Sequence, residues 1–421
     1  MNGTLGYDFL RTHQKLQSMR IDWWLTGICF GRALSQTVAM VYAAALPILQ
    51  REWEMSAAKA GAISSGYQIG YALSLFVISS LADRMGARFL YLVSTTAGAV
   101  LTTVFAFFAR DYFSAQILYT LVALAIGGSY TTGLMLLAEQ YAPQRRGMAT
   151  GFYIASSSLA YVLSLSLSGF AIPLGGYKLS FYVTGAATIA GAALSWITLA
   201  RTQETVPSRN TQQSFKKEVL ANKPAMLYMG AYTAHCWELL GMWAWAPAFM
   251  TACLIAQGAK GLNAAGMGAY ITAGFHLSGL VASFSMGSLS DRLGRARVIL
   301  FLAGISMFCS FVFGWTIGLP FSLIVAIGIV YNFTSLGDSP VLSVGLTEVV
   351  IPSYLGAAFG LRSLLGFGAG AVSPFVFGLI LDWANPQAAG QTYYANWGWA
   401  FVSLGLPGFG AIWAASKLRK A

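Results

Sequence analysis

Apolar runs of membrane-crossing length recur along the chain at 23–48, 60–82, 89–109, 114–138, 147–172, 180–200, 225–256, 265–288, 298–318, 321–346, 354–381 and 396–416. A hydrocarbon core about 30 Å thick is crossed by roughly 20 helical residues. A helix also satisfies its own backbone hydrogen bonds, as lipid requires. The pattern therefore predicts an all-α integral membrane protein with twelve transmembrane helices. The longest polar interruption, 201–224, holds Arg209, Lys216, Lys217 and Lys223. It divides the chain into an N-terminal six-helix bundle (1–200), a cytoplasmic linker (201–224) and a C-terminal six-helix bundle (225–421).

Composition agrees with the pattern. Only 9% of the 421 residues are charged, against about 25% in soluble domains, too few to cover a water-facing surface. The net charge of +11 sits in short loops, as the positive-inside rule expects of cytoplasmic ones; this placement argues against nucleic-acid binding. The tails and the loops after the even-numbered runs hold eighteen of the 25 Lys and Arg, and the opposite loops hold five. Both termini are thus expected in the cytoplasm, in a multi-pass protein of a plasma membrane such as the bacterial inner membrane. Met1 to Arg20 lacks the form of a cleaved signal peptide. Cys29, Cys236, Cys253 and Cys309 fall inside apolar runs with no CxxC spacing, and read as small buried hydrophobes.

The two halves repeat each other. Ser79-Ser80-Leu81-Ala82-Asp83-Arg84-Met85-Gly86 recurs as Gly287-Ser288-Leu289-Ser290-Asp291-Arg292-Leu293-Gly294, 208 residues later. Glu139, Pro143, Gly147 and Gly151 recur as Glu348, Pro352, Gly356 and Gly360, 209 residues later. Duplicated helix sets mark transporters whose substrate site lies at the repeat interface.

With the duplicated Asp-Arg-x-Gly loop, the even helix count and the basic central linker, the chain resembles the major facilitator superfamily over nearly its whole length. The resemblance implies two rocking bundles and a cavity lined by helices 1, 4, 7 and 10. It also implies a conformational gate at Asp83, Arg84, Gly86, Asp291, Arg292, Gly294 and Arg295, clamping the cytoplasmic ends of the halves in the outward-open state. A carboxylate at a helix end can accept such charge-assisted bonds. The second copy follows the family pattern closely. The first departs from it at Ser79 and Ala87, which implies a weaker clamp. The Gly-Pro-x-x-Gly-Gly run usual in helix 5 of the family's drug exporters is missing from Leu163–Gly169.

Six ionisable residues fall within predicted spans: Arg32, His235, Glu238, His276, Asp338 and Arg362. Each costs about 2.5–3.5 kcal/mol at a helix centre, so each invites a functional reading. Arg32 has no partner in its own helix; it binds an anionic substrate, pairs with a carboxylate elsewhere, or snorkels to the cytoplasmic surface. Asp338 and Arg362 lie on successive helices and could form an ion pair. His235, Glu238, His276, Asp338 and Arg362 are the proton-coupling candidates, histidine being titratable near neutrality; a histidine that only packs is the alternative. Gln36, Tyr130, Trp237, Asn332 and Ser335 join Arg32 as substrate-binding candidates. Trp243 and Trp245 are expected at the membrane interface, and the glycines of 366–370 at a close helix contact.

The resulting expectation is a secondary transporter, not an enzyme, that takes up a small organic or inorganic anion with protons. It would act as a monomer in the lipid bilayer, with no cofactor and no metal. A proton-driven exporter of drugs or metabolites and a non-transporting receptor or assembly factor of the same fold are the alternatives.

Overall fold

The structure is a computed structural model that describes residues 22–204, 216–351, 354–386 and 394–419, without the side chains of 79, 80, 83, 143, 144, 216 and 217. Ten helical segments among these are long and apolar enough to cross a membrane. They include α1 (Trp23–Glu52), α3 (Ala87–Phe108), α4 (Tyr112–Gln140), α7 (Lys223–Ala256), α9 (Arg295–Phe313), α10 (Phe321–Val349), α11 (Leu355–Ala384) and α12 (Gly398–Leu418), together with α2 (Ala57–Met85). The tenth, within Pro143–Leu199, is broken where Gly175 and Gly176 leave helical geometry, Gly176 at φ 65°. It thus makes two passes, α5 (143–174) and α6 (177–199). Gly261–Leu293, α8, is 33 residues long and more polar. Together these make twelve spans. Of the predicted linker, 205–215 lies outside the described residues.

Local chemistry sets the helix ends. Asp22 accepts from the Leu25 N–H, and Asn222 accepts from the Ala225 N–H. Asp111 caps α4, and the Ser114 N–H at 2.8 Å holds its carboxyl below the usual range. The duplicated loop motif yields the same turn twice: Gly86 and Gly294 both stand at φ 89°, a conformation a Cβ would strain.

α1 is interrupted halfway. Helix Trp23–Ser35 ends at Gln36, a 3₁₀ turn covers Thr37–Met40, and helix resumes at Val41–Glu52. Such mid-helix 3₁₀ turns often mark working positions. α4 is likewise interrupted at Gly127. Gln36 Nε2 reaches Ser129 Oγ just past that second break at 3.4 Å, so the two breaks face each other.

The halves meet tightly at one end only. A Cβ on Gly61 of α2 would collide with the Pro374 carbonyl of α11, and one on Gly378 with the Ala57 carbonyl. Gly169 of α5 and Gly266 of α8 approach each other equally closely. At the Asp-Arg-x-Gly end the repeated glycines Gly147, Gly151, Gly356 and Gly360 face nothing within 4 Å. The bundles are closed at one end and splayed at the other.

Candidate functional site

Between the halves lies a cavity of about 460 Å³, and its lining reaches Gly147, Thr150 and Gly151 of α5 and Ser343 and Val344 of α10. These residues belong to the splayed end, so the cavity opens toward the Asp-Arg-x-Gly loops. Of the predicted site residues, Arg32, Gln36, Tyr130, His235 and Arg362 line it.

Arg32 is 1% exposed. One terminal nitrogen donates to the Tyr153 carbonyl at 2.7 Å and to Ser156 Oγ at 3.3 Å. Its guanidinium lies over the rings of Tyr153 (4.5 Å) and Tyr130 (5.1 Å). Nε has no hydrogen-bond partner, and no carboxylate pairs with Arg32 among the described residues. Neither snorkelling nor a structural ion pair therefore describes it. Cation–π contact gives back about 2 kcal/mol or more when desolvated, and a charged hydrogen bond about 1.5–3 kcal/mol. The charge is thus held in place without being neutralised.

The C-terminal half supplies a second such cation. Arg362 Nη1 donates to Ser343 Oγ at 2.7 Å, and the guanidinium lies 4.0 Å from the Tyr232 ring centroid and 4.7 Å from that of Phe359. Its Nε also lacks a partner. The predicted Asp338–Arg362 pair does not form. Asp338 instead lies 2.6 Å from His235 Nδ1, because α10 packs on α7, α8 and α9. The His235 imidazole rests against Tyr232 at 5.3 Å, so both titrating and cationic groups of this half share one tyrosine.

Five predicted residues stand elsewhere than expected. Glu238 is buried behind the cavity wall, where it accepts from Ser306 Oγ of α9 at 2.9 Å. Trp237 does not face the cavity; its Nε1 donates to the Ser403 carbonyl of α12. Asn332 fastens the wall from behind, accepting from Trp243 Nε1 and donating to the Phe275 carbonyl, while Ser335 donates to the Asn332 carbonyl. His276 is buried against Tyr161 and Trp243, with neither ring nitrogen bonded. The Asn332-Ser335-Asp338 stripe thus braces α10 and does not form a substrate surface. Trp243 and Trp245 are buried, not interfacial; Trp245 Nε1 donates to the Pro374 carbonyl. The glycines of 366–370 do make a close contact, Gly366 against Tyr232 and Gly370 against Leu240.

The loop motif acts within one half in this conformation. Arg295 at the start of α9 binds Asp291 at 2.5 Å and Glu348, at the end of α10, at 2.9 Å. Glu348 above all, then Asp291, pushes the Arg295 pKa above its ordinary value. In the first copy, Glu204 accepts from the Arg88 and Phe89 N–H groups that start α3. The prediction for the Asp83 side chain lies outside the described residues.

The closed end carries a contact that the sequence did not reveal. Asp382 of α11 accepts from the N–H groups of Ala57 and Ala58, both at 2.8 Å. Tyr394 donates to the same carboxylate and receives Gln50 Nε2. Tyr67, Tyr71, Tyr119, Tyr161 and Tyr232 of the cavity were also missed, although Tyr67 and Tyr71, four residues apart, already shared a helix face.

Relatives place this geometry in a family. The model of the Major Facilitator Superfamily matches residues 28–337. A gallate transporter of Pseudomonas putida is 25% identical over 168 residues, 40% of this chain and 37% of that protein. A putative niacin/nicotinamide transporter of Bacillus subtilis (strain 168) is 22% identical over 343 residues, 79% of this chain and 82% of that protein. A crystal structure of a bacterial homologue of the human lysosomal transporter Spinster, inward-facing and occupied, superposes with a TM-score of 0.75 at 15% identity, covering 94% of this chain and 96% of that one. The matched span runs through both halves and the cavity between them, and the chain belongs to the Major Facilitator Superfamily, a family of multi-pass membrane transporters and not of enzymes.

Proposed function

We propose that the protein takes up a small anion together with protons by alternating access, in a plasma membrane with both termini in the cytoplasm. The observation that carries this reading is Arg32: a buried guanidinium at the cavity wall, without a carboxylate partner among the described residues. An unpaired buried charge costs several kcal/mol, and an anion entering the cavity removes that cost. Gallate and, when ionised, the niacin of the niacin/nicotinamide name are carboxylates, which supports an anionic cargo.

In this reading Arg32 grips the anion, with Gln36 and Tyr130 beside it, and the His235–Asp338 pair carries the proton. The pair suits that task because the imidazole and the carboxylate lie 2.6 Å apart, and neither facing atom is taken up by another hydrogen-bond partner. Its neighbours Tyr232 and Arg362 tie it to the cavity surface. Positive-inside placement puts the splayed end in the cytoplasm, so the conformation is inward-facing. Glu238 and His276 stand off this path.

The test is counterflow in proteoliposomes, with radiolabelled benzoate against a preloaded unlabelled pool. Exchange by the native protein and its loss in Arg32→Ala are expected. A protein that binds benzoate and exchanges none is a receptor, and exchange undiminished in Arg32→Ala removes the role given to that residue.

A further inference from the structure

The cavity's charge is lopsided. Among the described residues that line it the only fixed formal charges are Arg32 and Arg362, with no carboxylate. The nearest acid, Asp338, is engaged by His235. When that pair holds its extra proton it is an imidazolium beside a carboxylate and sums to zero, leaving the cavity at plus two. The two guanidiniums belong to different halves, Arg32 to α1 and Arg362 to α11. Each is seated on tyrosine and held by oxygen ligands through one terminal nitrogen, with Nε unpaired.

The repeat sharpens the point. At the 209-residue offset that relates Gly151 to Gly360, Arg362 takes the place of Tyr153, the residue whose carbonyl and ring support Arg32. Arg32 and Arg362 are therefore not copies of one repeated position. The wall between is aromatic: ten of the 36 lining residues are Tyr, Trp or Phe, twice the 14% found along the chain. Tyr71 meets Phe367 at 5.6 Å and Tyr161 meets Trp243 at 5.1 Å, each pair joining the two halves.

We infer that the substrate is a flat, ring-bearing dianion, one anionic oxygen group for Arg32 and a second for Arg362, which makes Arg362 a specificity-determining residue. A dianion neutralises the cavity's two cations, and the ring faces aromatic walls that prefer offset or edge contacts. An inorganic oxyanion leaves the aromatic surface unused. The inference rests on the anion reading above and extends it.

Binding to the purified native protein, measured by isothermal calorimetry, tests it with benzoate, acetate and the three benzenedicarboxylates, whose ring geometry holds two carboxylates at three separations. At least one dicarboxylate should bind about tenfold tighter than benzoate, the worth of one added charged hydrogen bond. Arg362→Gln should erase that advantage and weaken benzoate far less than the dicarboxylate. Dicarboxylates no tighter than benzoate, or equal losses for both in Arg362→Gln, overturn the inference while the anion reading stands. Benzoate and acetate binding that is equal overturns the ring requirement alone. No binding by any carboxylate, or binding indifferent to Arg32→Gln, overturns the anion reading with it.

Discussion

Asp382 caps the first turn of a helix in the other half of the molecule: its Oδ1 accepts from the Ala57 N–H at 2.8 Å and its Oδ2 from that of Ala58 at the same distance. The first N–H groups of a helix have no partner within it, and a carboxylate there is favoured by the helix dipole. Ser56 caps α2 from within the chain through the Lys59 N–H, and Asp382 on α11 takes up the two N–H groups of Ala57 and Ala58, but only while the closed end stays closed. Parting the halves leaves both N–H groups and the carboxylate to water.

The first prediction concerns this latch. A hydrogen bond to a charged group is worth about 1.5–3 kcal/mol, so Asp382→Ala should shift the balance from inward- to outward-facing by about tenfold or more. Spin labels across the closed end would read the shift as a longer distance population by electron–electron resonance. An unchanged distribution would mean the Gly61–Pro374 and Gly378–Ala57 contacts hold that end alone.

Coupling supplies the second. In the outward-facing state the His235–Asp338 pair must take its proton from outside, so uptake should quicken as external pH falls. In Asp338→Asn the acceptor charge is gone: a pH gradient should no longer drive uptake, while counterflow at equal pH persists. Gradient-driven accumulation surviving in Asp338→Asn would place the proton elsewhere.

A contrast within α7 provides the third. Glu238 accepts from Ser306 away from the cavity, so Glu238→Gln, which keeps an acceptor, should leave transport and melting temperature nearly native. Glu238→Leu strands the Ser306 hydroxyl and should cost about 1–3 kcal/mol, seen as a lowered Tm with intact proton coupling. Loss of coupling in Glu238→Gln would return this residue to the proton path.

The fourth tests the loop. Gly294 stands at φ 89° with open space around the position of a Cβ, so Gly294→Ala brings backbone strain and no collision. The expected loss is about 1–3 kcal/mol, measured by thermal unfolding in detergent. A native melting point would show that the loop relaxes freely.

The span pattern and the duplicated loop were legible in the sequence because each rests on local arithmetic: run length against bilayer thickness, and matching residues at a constant offset. Partner choice was not. Asp338 was matched to Arg362 on the next helix along the chain, but it lies against His235, since α10 packs on α7. Asp382 sits one residue past the run 354–381, whereas α11 continues to Ala384. Trp243 read as an interface anchor because its burial depends on Asn332, 89 residues away. Arg32 was recognisable as a misplaced charge, and that much required no tertiary information; the choice among its three roles depends on its surroundings, where no carboxylate among the described residues lies beside it.

The most direct measurement is a structure with a bound, heavy-atom-labelled carboxylate, for which 4-bromobenzoate serves through the anomalous signal of bromine. The account predicts bromine inside the cavity and the carboxylate within hydrogen-bond distance of the Arg32 guanidinium. A carboxylate bound elsewhere, with Arg32 still held only by Tyr153 and Ser156, would contradict it.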